Sequence, residues 1–238
     1  MGTAREIGSC PHFTRRPQIA IDGPVAAGKS TIARLVAAHL GFTYIDSGAM
    51  YRALAWAAAQ RGLGTADAER AVALLNDIEI RLVPQDGGIN RVFVDGVDIT
   101  DQIRTPEIGQ LASELSKYHA VRERMVALQQ EMARDGGVVM EGRDIQTVVM
   151  PDAEVKIFLL ATPEERAERR CKELHERGIE VSYDAVLAEL RERDHRDSTR
   201  AHSPLKAAPD AVHLDSTSLT IEQVAERVIS IVRERANL

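Results

Sequence analysis

The chain has 238 residues, with 30 Lys and Arg against 36 Asp and Glu, a formal charge of −6. That length suits one domain with a small insert, and 44% hydrophobic with 28% charged residues excludes a disordered or fibrous chain. The acidic balance argues against broad duplex-DNA binding, two cysteines (Cys10 and Cys171) exclude a disulfide scaffold or a four-ligand zinc site, and no apolar run approaches the roughly 18 residues of a bilayer span.

Residues 1–17 read as a polar tail. Arg5, Glu6, His12, Arg15 and Arg16 are mixed with few apolar residues, so the apolar centre of a signal peptide is missing. Two cysteines fit a reducing cytosol, and a cytoplasmic location with neither nucleic-acid nor membrane partners is expected. From Gln18 onward short apolar runs alternate with amphipathic helices, the pattern of a parallel α/β sheet. Ile19–Ile21 is a buried strand. Lys29–Leu40 is a helix whose apolar residues Ile32, Leu35, Val36 and Leu40 share a face. Thr43–Ile45 is a second strand, followed by an Ala-rich helix over about 49–60.

The period then changes to two. Ile78–Leu82, a turn at Asp86-Gly87-Gly88, Arg91–Val94, a turn at Asp95-Gly96 and Val97–Ile99 predict a three-stranded antiparallel meander. Residues 64–104 are therefore read as a small insert. Helices follow over about 106–117 and 121–134. The βα alternation resumes with strands at Val138–Met140 and Val155–Leu160. Thr162-Pro163-Glu164-Glu165 opens the next helix as a capping box with Pro in its first turn. A charged helix covers about 183–196, and Val212–Leu214 is the last strand. Thr220-Ile221-Glu222-Gln223 caps a closing helix with apolar face Val224, Val228, Ile231 and Val232. The expected fold is α/β: a doubly wound parallel-sheet core, 18–63 and 105–238, carrying the meander insert.

Between the first strand and first helix lies Gly23-Pro24-Val25-Ala26-Ala27-Gly28-Lys29-Ser30-Thr31, which fits G-x-x-x-x-G-K-[ST] in the strand–loop–helix context that the motif requires. Glycines let the backbone approach phosphates, loop N–H groups converge on an oxyanion, and the helix N-terminus adds its positive end. Lys29 supplies a point charge to the outer phosphates and Ser30 a hydroxyl ligand for Mg²⁺. These nine residues are the candidate ATP site. The base-reading and switch strings of GTPases and the Leu-Ser-Gly-Gly signature of transporters do not occur, which leaves mostly small-molecule kinases.

An acceptor side is expected at other strand ends, because ligands of doubly wound sheets sit outside the carboxyl ends of the strands. Asp46-Ser47-Gly48-Ala49-Met50-Tyr51-Arg52 follows the second strand. Asp46 or Ser47 can cap a helix, and Arg52, one turn on, has the planar fork that suits a phosphate dianion. Glu141-Gly142-Arg143-Asp144 ends the third core strand; the plainer alternative is a surface turn in which Asp144 merely pairs with Arg143. Arg191, Arg193 and Arg196 precede the loop Ser198–Pro209, and Arg200 lies in its first residues. Arg191 reads as a solvated salt-bridged residue, and the others as a mobile basic lid, about 193–209, that excludes water and neutralises the transferred phosphoryl.

These segments resemble, in order and spacing, those of the bacterial cytidylate kinase family, Asp-Ser-Gly-Ala-Met-Tyr-Arg most specifically, over Gln18 to the C-terminus. The resemblance implies transfer of the γ-phosphoryl of Mg²⁺·ATP to CMP or dCMP, and a monomer is expected. It also implies site roles. Lys29, Arg193, Arg196 and Arg200 would be catalytic, and Ser30 would lie near the metal. Ser47, Arg52 and Arg143 would hold the CMP phosphate region. Ser113, Arg122 and Asp144 would read cytosine, while Arg193 and Asp197 would touch ribose and phosphates. The insert would be the family's nucleotide-monophosphate-binding region. Glu141 stands where the family also shows Asp. Another P-loop kinase, for uridylate, shikimate or dephospho-coenzyme A, and a nucleotide-binding regulator without turnover are the alternatives.

Overall fold

The computed structural model describes residues 16–85, 90–176 and 178–236. In chain order, β1 (Gln18–Asp22), α1 (Lys29–Leu40), β2 (Thr43–Asp46) and α2 (Ser47–Gln60) form the first half of the core. Then come α3 (Ala68–Asp77), β3 (Ile80–Pro84), β4 (Asn90–Val94) and β5 (Val97–Asp98), followed by α4 (Pro106–Leu115) and α5 (His119–Ala133). The second half of the core holds β6 (Val138–Gly142), β7 (Val155–Leu160), α6 (Pro163–Glu176), α7 (Tyr183–Thr199), β8 (Val212–Asp215) and α8 (Ile221–Ala236).

The main sheet is parallel, in the order β2-β6-β1-β7-β8. Its central strands are buried on both faces, which is why they read as unbroken apolar runs. Ile19, Ile21, Val139 and Ile157 pack with Val36 of α1 and Val228 of α8, while Ala20 and Met140 face Met50 and Leu54 of α2 and Met125 of α5. The register levels the carboxyl ends. Asp22 lies beside both Gly142 and Phe158, and Asp46 beside Glu141. Both loop-bearing strand ends therefore open on one crevice edge.

The second sheet is antiparallel, β3-β4-β5, with Ile80 opposite Val94 and Leu82 opposite Val92. Its tight turn Asp95-Gly96 has φ of 50° and 79°, the left-handed pair of a two-residue hairpin; the expected turn at Asp86-Gly87-Gly88 lies outside the described residues. Helix α3 was not expected in this insert. Its Ala71, Leu74 and Leu75 are buried, and with Ile78 they keep the i, i+3, i+4, i+7 helical spacing.

Three further expectations change. In α1, Leu35 faces solvent, and the buried side is Ile32, Ala33, Val36 and Ala37. Helix α7 runs on to Thr199, because the Ser198 and Thr199 hydroxyls fold back onto the Asp194 and His195 carbonyls at 2.8 and 2.6 Å. The loop expected from Ser198 therefore begins at Arg200. The polar tail expected over 1–17 does not reach Pro17, while residues 1–15, Cys10 among them, lie outside the described residues. The Gly137 N–H donates to the Arg16 and Pro17 carbonyls, Arg16 Nη2 donates to the Gly41 carbonyl at 2.5 Å, and its guanidinium lies 4.7 Å from the Phe42 ring centre. One exposed hydrogen bond and one exposed cation–π contact are together worth about 1 kcal/mol. Arg16→Ala is thus expected to lower Tm by about 2–4 °C, and a calorimetric melt unchanged from the parent would show that the contact contributes nothing.

The capping box expected at Thr220 forms in full, whereas that at Thr162 forms only in part, because the Thr162 N–H donates to Thr217 Oγ1 at 3.1 Å and Glu165 accepts from Arg169. The Glu165 N–H donates to Thr162 Oγ1, and Thr220 and Gln223 bond each other's backbone N–H through their side chains. Among the described residues, no helix is long and apolar enough to cross a membrane.

Candidate active site

The loop after β1 is shaped by backbone constraints. A Cβ on Gly23 would lie 2.1 Å from the Leu159 carbonyl oxygen, so β7 excludes any side chain there. Ala26 sits at φ 58°, a left-handed position for a non-glycine residue, and Gly28 at φ 90° turns the chain into α1. Lys29 is buried and its Nζ donates to the Pro24 carbonyl at 2.7 Å, arching across the loop. Burial, and then the Arg143 guanidinium, push this ammonium down to about 7 against the pull of Glu141, Asp22 and Asp197.

Glu141, from the end of β6, meets the loop from the neighbouring strand. Its Oε1 accepts from Ser30 Oγ at 2.5 Å and from Tyr44 Oη at 3.3 Å. Burial and the nearby Asp46 raise its carboxyl above the ordinary range, while Lys29 and Ser30 pull it back. Asp22, absent from the sequence reading of the site, ends β1 directly before the loop. Its carboxylate accepts the N–H groups of Ile145 at 3.1 Å and Gln146 at 2.9 Å, at the start of a π-helical turn, Ile145–Val149. Burial pushes Asp22 up to about 7 despite those two bonds. The Gln146 side chain continues the chain of contacts, accepting the Ala208 N–H at 2.9 Å.

Across the crevice, Ser47 opens α2 and donates to the Glu141 carbonyl at 2.7 Å. Gly142 permits this approach: a Cβ there would lie 2.6 Å from Ser47 Oγ. Asp46 caps α2 through the Ala49 N–H and also holds Arg52 at 2.9 Å. The expected alternative pairing of Arg143 with Asp144 does not occur. Arg143 Nε donates to Asp197 of α7 at 2.8 Å, whereas Asp144 pairs with the buried Arg122 of α5, and Arg200 Nη2 stands 3.8 Å from its other oxygen. Arg200 also donates to the Ser203 carbonyl at 2.5 Å. Arg196 lies 3.5 Å from Glu114 and 3.8 Å from Glu192. The plainer reading suits Arg191, an exposed partner of Glu164.

Positive charge is crowded here beyond what the acids offset. Burial and then Arg143 push Arg193 down to about 10, with Arg52 adding to the effect; burial and then Arg122 lower Arg200. Buried polar atoms without a hydrogen-bond partner include Nε of Arg122 and Arg193, Nη2 of Arg200 and the Tyr51 hydroxyl. Such groups are rare in interiors, and a polar ligand or water entering the crevice would satisfy them. Tyr51 was not singled out from the sequence; it lies one helical turn beyond Ser47, and its ring centre is 5.8 Å from the Arg122 guanidinium carbon. Ser113 lies on α4 with its carbonyl accepting from Ser116, and no hydrogen bond among the described residues joins it to Arg122 or Asp144.

The arrangement offers an anion-binding loop, a buried lysine, hard oxygen donors at Ser30 and Glu141, and a second basic pocket with an acid–arginine pair. A family model described as cytidylate kinase matches residues 19–234. The cytidylate kinase of Caldicellulosiruptor bescii is 49% identical over 219 residues, 91% of this chain and 96% of that protein. That of Geobacter sulfurreducens is 51% identical over 217 residues, 91% and 93% of the two chains. Among solved structures, an uncharacterized protein from Eubacterium ventriosum shares the fold with a TM-score of 0.51 at 11% identity, covering 93% of this chain and 100% of that one.

Proposed function

The chain belongs to the cytidylate kinase family, and from that membership we infer its reaction: the γ-phosphoryl group of ATP passes to CMP or dCMP, giving the nucleoside diphosphate and ADP. The residue roles rest on one observation above all. Burial and then Arg143 push Lys29 and Arg193 down, Arg52 adds to the effect on Arg193, and Glu141 and Asp197 offset only part of it, an array that a phosphate anion would relieve.

The loop N–H groups and Lys29 take the outer phosphates of ATP. Arg52 and Arg143 take the acceptor phosphate, with Ser47 beside them. That phosphate is already an anion at neutral pH, so no side chain need act as a general base. Catalysis is alignment and charge neutralisation, in which Arg193, Arg196 and Arg200 close over the transferred group as its charge spreads. Asp144 and Arg122 read the base, and Asp197 orients Arg143 while facing the ribose. Residues 64–104 serve as the acceptor-side insert, and the lid, about 193–209, starts on α7.

Ser30 Oγ and Glu141 Oε1 are adjacent hard oxygens of the kind Mg²⁺ takes, and among the described residues no larger metal-binding cluster occurs. That suits an ion held mostly by nucleotide phosphates. Ser30 would hold it with Glu141 alongside, and when bound it neutralises charge on the β and γ oxygens.

Coupled ADP-release assays against CMP, dCMP, UMP and shikimate test the reaction: CMP and dCMP are the expected acceptors, and turnover of another compound in their place would overturn it. The two basic groups should separate kinetically. Arg52→Ala is expected to raise the CMP KM at least about tenfold, about 1.4 kcal/mol, with kcat little changed, because it holds the ground-state phosphate. Arg200→Ala is expected to lower kcat about 100-fold with a smaller change in KM, because its contact strengthens in the transition state. The reverse pattern would exchange the two roles.

A further inference from the structure

Among the described residues, Arg166 makes more side-chain hydrogen bonds than any other buried cation near the site. It lies on α6, 3% exposed. Its Nε donates to the Ala161 carbonyl at the end of β7, at 3.1 Å. Its Nη1 donates to the Val25 carbonyl in the phosphate loop at 3.0 Å and to Asp194 Oδ1 at 3.1 Å, and its Nη2 to Asp194 Oδ2 at 2.5 Å. One planar group thus joins a core strand, the ATP loop and the lid helix.

We propose that Arg166 is a positioning residue for the kinase reaction, setting the phosphate loop for ATP through Val25 and tying that loop to the lid helix through Asp194. The first half follows from peptide geometry. In a trans peptide the carbonyl and the next N–H point in opposite directions. Gripping the Val25 carbonyl from the α6 side turns the Ala26 N–H to the other side. Ala26 is the left-handed residue of the loop, at φ 58°, a conformation that costs a non-glycine residue roughly 1 kcal/mol. The Arg166 bond is positioned to hold it there. Successive N–H groups around such a residue make an anion-binding concavity.

The second half follows from position along α7. Asp194 adjoins Arg193 and stands two, three and six residues before Arg196, Asp197 and Arg200. A second observation joins the same parts. Val25 and Ala26 pack against an apolar cluster of Ala167 and Leu174 from α6 with Val186 and Leu190 from α7. The loop tip and the lid helix therefore rest on one apolar pad and share one guanidinium. Lysine could not reproduce this, since it lacks the planar fork.

The inference rests on the loop's assignment to ATP, and the experiment separates the two. Purified full-length Arg166→Lys, Asp194→Asn and Arg166→Lys/Ala26→Gly are compared with the parent in kcat, ATP KM and CMP KM, with thermal melts to show folding. Arg166→Lys is expected to raise the ATP KM and lower kcat at least about tenfold each, with CMP KM within about threefold. Asp194→Asn keeps the Val25 bond, so it is expected to lower kcat about tenfold with both KM values within about threefold. Adding Ala26→Gly to Arg166→Lys is expected to recover at least about threefold of the lost ATP KM, since glycine takes the left-handed conformation freely; a merely structural arginine would show no such rescue. The proposal falls if folded Arg166→Lys keeps a normal ATP KM, if glycine recovers nothing, or if Asp194→Asn raises the ATP KM as much as Arg166→Lys. Should Arg166→Lys fail to fold, Asp194→Asn decides: kcat down at least about fivefold at normal KM values supports the coupling, and unchanged kcat overturns it. A parent protein that does not turn over CMP with ATP would sink the underlying assignment instead.

Discussion

Lys29→Met is expected to lower kcat by at least about 10³-fold, about 4 kcal/mol, without loss of the fold. The buried lysine is held by the Pro24 carbonyl, with Glu141 and Asp22 acting on its charge, where water screens a charge poorly. Methionine fills nearly the same volume and removes a buried ammonium whose setting already favours losing its proton. The pH dependence carries a second signature. With the folded pKa pushed down to about 7 from 10.5, the unfolded chain holds the extra proton between those values. Stability from this group therefore rises as pH climbs from about 7 toward 10. Asp22, raised from 3.8 to about 7, acts in the opposite sense and only below that window. Chemical denaturation at pH 7 and pH 9.5 should show a gain in the parent that is smaller in Lys29→Met. A variant with near-normal turnover would remove Lys29 from the mechanism.

Base selection should fail in Asp144→Asn. Cytosine presents an amino donor beside two acceptors; uracil presents an acceptor where the amino group stood. An ionised carboxylate only accepts and a guanidinium only donates. The Asp144–Arg122 pair is buried, so uracil would set a carbonyl against a carboxylate out of reach of water. A site built of such groups rejects a mismatched partner strongly. CMP is expected to exceed UMP by at least about 100-fold in kcat/KM, about 2.7 kcal/mol. In Asp144→Asn the amide can present either sense. CMP efficiency is therefore expected to fall about 100-fold, and the CMP/UMP ratio to drop below about 10. Alanine would be a poorer probe, because stripping one partner from a buried pair costs about 3–5 kcal/mol in stability. If the ratio is unchanged, Asp144 serves only to neutralise Arg122, and the base is read elsewhere.

Much of this molecule is written locally. Helix α1 has its expected bounds because Gly28 and Gly41, both left-handed, flank it, and β7 because its apolar run stops at Ala161-Thr162-Pro163. The phosphate loop is contiguous in sequence and so is visible there. Partnerships are not. Arg143 and Asp144 are neighbours in sequence, yet their bonds run 54 residues forward to Asp197 and 22 back to Arg122. Asp22 looked like the last residue of a strand because the amides that it holds come 123 and 124 residues later. Helix α3 is hidden in the sequence because its apolar spacing runs straight into the period-two pattern of β3. The end of α7 is hidden because Ser198 and Thr199 are weak helix formers, and both hydroxyls bond back within the helix.

The strand order has a consequence for synthesis. The first core strands, β1 and β2, are made early, yet the strands that flank β1 are β6 and β7, and β2 bonds to β6. On the ribosome, the ATP loop and its helix, ending at Leu40, leave the exit tunnel well before Val138, where the first strand that can pair with β1 begins. Until Val138–Gly142 emerges, Ile19 and Ile21 have no sheet to enter and stand as an unpaired apolar edge, the kind of surface that chaperones bind. The nascent chain should therefore pass from chaperone-bound to folded in one late step as β6 and β7 arrive, rather than growing its nucleotide site from the N-terminus.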